Sequence, residues 1–204
     1  MSPLKRLGIL LSGRGSNFLA IATAIREGGL LGAEIAVVLS NVPEAGGLTA
    51  ARELGLEAIA IPSAGKKRVE HDAAMIAALR QHDVELVCLA GYMRILSPDF
   101  VRAFPNRILN IHPSLLPAFP GLDVQAQALE YGAKFAGCTV HFVDEAVDHG
   151  AIVLQRVVPV LDRDTVESLS ARILEQEHIA YPEAIARVLS GEYEFVGRRY
   201  VRRD

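Results

Sequence analysis

The chain has 204 residues, half of them apolar and 22% charged, with a formal net charge of −3. That length suits one sizeable domain, and the mild acidity offers no basic face of the kind that nonspecific nucleic-acid binding needs. No apolar run reaches the length of a membrane span, and the run 7–11 is closed by Ser12 and Gly13 too soon for a secretory core, so the cytoplasm is the expected compartment, with no nucleic-acid or membrane partner.

Apolar runs of strand length alternate with amphipathic stretches. Residues 7–12 read as a buried strand and 17–28 as a helix. A second strand is expected over 34–40, a short helix over 47–55 closed by Gly55, and a third strand over 57–62. Residues 66–83 carry apolar positions at helical spacing, and two more strands are expected over 85–92 and 107–112. Continuous apolar strands separated by helices predict a parallel sheet covered on both faces. Beyond residue 120 the pattern changes. Strands over 136–144 and 152–160 are separated by a short polar loop and are expected to pair antiparallel. Residues 164–192 form a long helical stretch, with Asp164 or Thr165 as N-cap and Pro182 as a point of kinking. The basic end, 198–204, reads as a solvated tail. The expected fold class is therefore α/β: an open, mostly parallel, doubly wound sheet of Rossmann type with helices on both faces and an antiparallel C-terminal strand portion. No repeat or linker interrupts it, and a single domain over 1–204 is expected. Cys88 and Cys138 lie in apolar stretches without a CxxC spacing and are expected to be free buried thiols.

In open parallel sheets, ligands bind beyond the carboxyl ends of the strands. The loop after the first strand reads SGRGSN over 12–17. Gly13 and Gly15 permit a tight turn, and the amides that follow open a helix, which makes an anion site. Ser16 is placed to cap that helix and donate to a phosphate, with Asn17 as a further donor. There is no GxxxxGK[ST], Phe18 stands where a dinucleotide fingerprint needs a third glycine, and Ser40 and Asn41 stand where an acidic residue would be expected. A single phosphate fits better than a pyrophosphate. The bland alternative is a strand–helix turn that merely uses glycine.

The stretch NIHPSLLP over 110–117 ends the fifth strand. Residues i and i+2 of a strand share a face, so Asn110 and His112 project together. Pro113, Pro117 and Pro120 stiffen the loop behind them. A carboxamide can donate to an oxygen gaining charge, while an imidazole moves protons. No serine or cysteine in this stretch is placed as a nucleophile, which favours direct transfer. Capping of a sheet edge is the plain alternative. The best carboxylate to serve the imidazole is Asp148, in the polar loop 143–152, with Asp144 and Glu145 as competitors and His149 as a loop residue. His71 and His82 are assigned to an exposed helix face, His141 to a strand and His178 to mid-helix. Neither HExxH nor a Cys/His cluster is present, so no metal is expected.

Taken with AGYMRILS over 90–97, PGLDVQAQAL over 120–129, GCTVHFVDEAVDHG over 137–150 and EHIAYP over 177–182, these segments closely resemble the phosphoribosylglycinamide formyltransferases along nearly the whole chain. The NIHPSLLP segment with its downstream aspartate is shared with methionyl-tRNA formyltransferase and formyltetrahydrofolate deformylase. It specifies the formyl-folate chemistry better than the acceptor. The resemblance implies a formyltransferase fold with a phosphate-binding half over about 1–105 and a folate and catalytic half over about 106–204. It implies Asn110, His112 and Asp148 as catalytic residues, and Gly15, Ser16 and Asn17 as the phosphate site of glycinamide ribonucleotide. Gln176 and Glu177 would contact that substrate. Met93, Arg94, Ile95, Leu96, Asn110 and the loop Asp144, Glu145, Ala146, Val147 and Asp148 would line the pterin pocket, with Arg68 facing the glutamate tail. The co-substrate is 10-formyltetrahydrofolate, no metal is implied, and the protein is expected as a monomer or homodimer. Asp123 and Gln125 stand where the family usually has histidines. The implied reaction is formyl transfer to the glycinamide amine in purine biosynthesis. The alternatives are a formyltetrahydrofolate hydrolase, or a binding regulator that keeps the pocket without turnover.

Overall fold

The computed structural model of the chain describes residues 3–204. In chain order the elements are β1 (Lys5–Leu11), α1 (Ser16–Arg26), β2 (Ala33–Ser40), α2 (Gly46–Glu53), β3 (Ala58–Ala60), α3 (Arg68–Gln81), β4 (Leu86–Leu89), α4 (Pro98–Ala103), β5 (Ile108–His112), α5 (Val124–Tyr131), β6 (Phe135–Phe142), β7 (Ile152–Pro159), α6 (Val166–Leu189), β8 (Tyr193–Val196) and β9 (Arg199–Arg202). Strands β1 to β7 form one sheet in the order β3-β2-β1-β4-β5-β6-β7, and β8 and β9 form a separate two-stranded sheet. The chain divides into two compact units after Asn110, within β5.

In the first unit β1 pairs in parallel with β2 on one side and β4 on the other, and β4 pairs in parallel with β5. A central parallel strand is covered on both faces, which is why its sequence is a continuous apolar run rather than an alternating one. Leu7, Ile9, Leu10 and Leu11 are all fully buried, and each such side chain stabilises the fold by roughly 1.5–3 kcal/mol. Strand order turns from β1 towards β2 on one side and towards β4 on the other. The loops after β1 and β4 therefore open at the point where ligands bind in sheets of this kind.

In the second unit β6 and β7 pair antiparallel from Phe135↔Pro159 to His141↔Ile152. Helix α6 buries Leu169, Ile173, Glu177, Ala180, Tyr181, Ala184 and Ile185, a stripe at helical spacing. Its N-cap is Thr165, which forms a reciprocal capping box with Ser168. The helix continues past Pro182 to Leu189.

Three local readings change. Helix α4, whose start is marked by Ser97 as N-cap and Pro98 at its first turn, and helix α5 are too short to show a periodic stripe. The basic end is a β-hairpin, because Tyr193, Phe195 and Tyr200 give it an aromatic face to pack against Phe142. His71 is fully buried rather than exposed, since α3 turns His71, Asp72, Met75 and Leu79 inward.

Candidate active site

The turn after β1 is set by Gly15, the N-cap of α1, with φ +77°. A Cβ there would lie 3.0 Å from Gly47 Cα, and Gly47 N–H donates to the Gly13 carbonyl (3.0 Å). Two glycine turns thus pack backbone against backbone. The first helical hydrogen bond runs from Leu19 N to Gly15 O (2.9 Å), no side chain caps the helix, and its first turn has no acidic residue. Ser16 is the first residue inside the helix rather than its cap, because Gly15 takes that position. Ser16 and the buried Asn17 therefore contribute the opening amides of α1, where an anion is favoured.

The segment after β4 is tied to that turn. Ser12 Oγ accepts from Met93 N (2.8 Å) and donates to Asn41 Oδ1 (2.6 Å). Its far end is held by Asp72, whose Oδ2 accepts from Ser97 N (2.6 Å) in a buried environment. Next to Asp72, His71 Nε2 lies 2.8 Å from the Ile61 carbonyl. Between these anchors Met93 and Ile95 are 75% and 59% exposed, Arg94 is half-buried and Leu96 is buried. Arg68, the first residue of α3, is exposed.

In the second unit the tip of β5 carries His112, which is buried. Asn110, two residues earlier on the same strand, is half-exposed. His112 Nδ1 lies 3.5 Å from Asp148 Oδ2, and its Nε2 lies 2.9 Å from the Phe119 carbonyl. Each ring nitrogen thus faces an oxygen acceptor. Asp148 Oδ2 also accepts from Gly121 N (2.9 Å), which ties it to the proline-rich loop. That loop is knotted by Thr139 on β6. Thr139 Oγ1 donates to the Ser114 carbonyl (2.7 Å) and accepts from Leu116 N and Gln155 Nε2 (both 3.0 Å). Prolines alone do not fix the loop. A hydroxyl distant in sequence does.

Loop 143–150 is closed on itself. Asp144 Oδ1 accepts from Ala146 N (3.0 Å), and Asp144 Oδ2 lies 2.9 Å from His149 Nδ1. Glu145, Ala146 and Val147 are exposed at its crest. Asp148 has φ +51°, a left-handed backbone that aspartate tolerates better than most residues. At the loop's end a Cβ on Gly150 would collide with the Phe142 carbonyl, so only glycine lets the backbone pass.

His141 belongs to this group, although its strand position gave no role to it. Its Nδ1 donates to the Phe142 carbonyl (2.8 Å), and its Nε2 lies 3.8 Å from Asp148 Oδ1. Burial lowers its pKa, partly opposed by the Phe142 carbonyl and by Asp148. A signal was present in the sequence. A histidine in a strand of otherwise small and apolar residues must find a partner if buried.

On α6, Glu177 is buried and Gln176 is half-buried. The Cys138 thiol on β6 is pushed up to about 12, mainly by burial and further by the Glu177 carboxylate. Asp123 is the N-cap of α5 with φ +55°, and Gln125 is half-buried in that helix. Among the described residues no group of three or more His, Cys, Asp or Glu side chains is arranged to hold a metal ion.

An open α/β sheet thus carries a carboxylate–imidazole pair at a strand tip. Residues 5–185 match the formyl transferase family, and the chain belongs to that family. Its relatives there include the phosphoribosylglycinamide formyltransferase of Bacillus subtilis, 40% identical over 91% of this chain and 95% of that protein. The solved structure of glycinamide ribonucleotide transformylase 1 from Symbiobacterium toebii superposes with a TM-score of 0.96 and 51% identity, covering 100% of this chain and 96% of that one. The trifunctional purine biosynthetic protein adenosine-3 of Drosophila melanogaster is 47% identical over 92% of this chain, which spans 14% of that protein's length.

Proposed function

We propose that this chain transfers the formyl group of 10-formyltetrahydrofolate to the amine of 5-phosphoribosylglycinamide, in cytoplasmic purine biosynthesis. The observation that carries the proposal is the His112–Asp148 pair, 3.5 Å apart, with Asn110 two residues upstream on the same strand. Likeness to proteins named for this reaction supports it.

In this reading the neutral amine attacks the formyl carbon and forms the new C–N bond. Asn110 donates to the formyl oxygen as it gains charge. His112, held by Asp148 and the Phe119 carbonyl, passes a proton towards the folate nitrogen as the old C–N bond breaks, and the amine's proton makes good that transfer. Gly15, Ser16 and Asn17 hold the substrate phosphate at the opening of α1, and Gln176 and Glu177 contact the glycinamide portion. Folate-binding roles are assigned to Met93, Arg94, Ile95, Leu96 and Asn110, with Arg68 towards the glutamate tail, and separately to the loop residues Asp144, Glu145, Ala146, Val147 and Asp148. All of these residues belong to one formyltransferase domain over 1–204 in this reading.

An absorbance assay following formyl-folate, with and without glycinamide ribonucleotide, tests the proposal. Loss of formyl-folate that requires the ribonucleotide is expected. Loss at the same rate without it would mean hydrolysis instead, and binding without loss would mean a ligand-binding protein.

A further inference from the structure

The C-terminal hairpin takes no part in the chemistry above, yet it is joined to the catalytic loop. Its aromatic face seats on the end of β6: Phe142 lies 4.9 Å from Phe195 and 5.0 Å from Tyr200, centroid to centroid, and Tyr193 stacks on Tyr200 at 5.5 Å. Loop 143–150 begins at the next residue. At the hairpin tip, Arg198 Nη1 lies 2.6 Å from His149 Nε2, and Nη2 donates to the His149 carbonyl at 2.6 Å. A guanidinium only donates, so Nε2 must present its lone pair, and the ring proton sits on Nδ1. That proton points to Asp144 Oδ2, 2.9 Å away, while Asp144 Oδ1 accepts from Ala146 N. The fork therefore grips His149 directly and Asp144 through the His149 ring. Asp148 lies between them in sequence, with its carboxylate turned to His112 and His141 while its neighbour His149 is held from the other side. An isolated exposed ion pair would position little. This contact is a two-pronged grip on a neutral ring and a backbone carbonyl, which fixes geometry.

We propose that Arg198 is a positioning residue: from the hairpin tip it clamps loop 144–149, through His149 and Asp144, in the conformation that presents Asp148 to His112 and the loop to the formyl donor. It touches no substrate itself. The functional part rests on the reading of that loop as a wall of the formyl-folate site.

The test uses the full chain with R198A, R198K and H149A, and R203A as a control elsewhere in the hairpin. Amide hydrogen exchange over 145–150 is read without substrate. R198A and H149A should each speed it by about tenfold or more, as expected for loss of a charge-assisted contact. R198K should recover part, since an ammonium reaches one acceptor but lacks the fork, and R203A should change little. In the assay, R198A should lower kcat and raise KM for formyl-folate while KM for the amine substrate stays put. The double variant R198A/H149A should be no worse than the poorer single one. Unchanged exchange in both R198A and H149A overturns the clamp, and faster exchange with unaltered kcat and KM overturns its positioning role. Should R198A fail to fold, H149A removes the gripped ring and leaves the hairpin's side chains intact. If the wild type transfers no formyl group, the functional reading falls, and the exchange arm still decides the clamp.

Discussion

His112 and His141 share one carboxylate. Asp148 presents Oδ2 to His112 Nδ1 at 3.5 Å and Oδ1 to His141 Nε2 at 3.8 Å. The two rings come from β5 and β6, and the acid from the loop after β6. A single side chain therefore faces both imidazoles.

Asp148→Asn removes that charge and keeps both the shape and the tolerance of the left-handed backbone at φ +51°. We expect kcat to fall by about a hundredfold or more with folding intact. Steady-state kinetics with a circular-dichroism melt checks this, and near-normal kcat in folded protein would remove Asp148 from the mechanism.

Asn110→Ala deletes the carboxamide donor. Loss of one oxyanion donor costs about 2.7–4 kcal/mol of transition-state stabilisation, so kcat should drop about a hundredfold to a thousandfold while KM changes little. A fall confined to KM would assign Asn110 to binding alone.

Gly15→Ala places a Cβ 3.0 Å from Gly47 Cα and forces alanine to φ +77°. The strain costs about 1–2 kcal/mol, and it falls on the turn proposed to hold the substrate phosphate. KM for glycinamide ribonucleotide should rise by about tenfold, with KM for formyl-folate nearly unchanged. Equal rises in both would contradict a local phosphate role.

Asp72→Ala leaves the buried Ser97 N–H without its acceptor. Loss of a hydrogen bond to a buried charge costs about 1.5–3 kcal/mol, and the segment 93–96 loses its anchor. A lower melting temperature and a selective rise in KM for formyl-folate are expected. A destabilised variant with unaltered KM values would show that the anchor serves folding only.

Burial lowers the pKa of His141, and also that of His178. The unfolded chain titrates near the ordinary histidine value of about 6.5. On acidification the unfolded state then binds more protons than the folded one. The stability due to these neutral rings is complete above about pH 6.5 and is lost as pH falls from there towards the lowered folded-state values. Melting temperature should decline over that window, and His141→Asn should flatten the decline although it lowers the plateau. An identical slope in the variant would show that His141 does not carry the linkage.

Much of the first unit was legible in order along the chain. Continuous apolar runs marked β1, β2, β4 and β5, and the glycines after β1 marked the turn that opens α1, because period and turn chemistry are local properties. The spacing of Asn110 and His112 placed two polar groups on one strand face for the same reason. Short helices such as α4 and the hairpin β8–β9 escaped, since neither is long enough to show a period.

The residue types, the strand tip that carries Asn110 and His112, and the turn at Gly15 were thus determined by sequence alone, for each depends on neighbours a few positions away. Tertiary structure alone decided which acid meets His112, that His141 joins them, that Thr139 secures the proline-rich loop, and that Arg198 grips His149. Apart from the His141–Asp148 contact, these close loops of roughly twenty-five to fifty residues, and no local preference encodes such a closure: it is selected only when the packed core makes one arrangement of buried polar groups satisfiable.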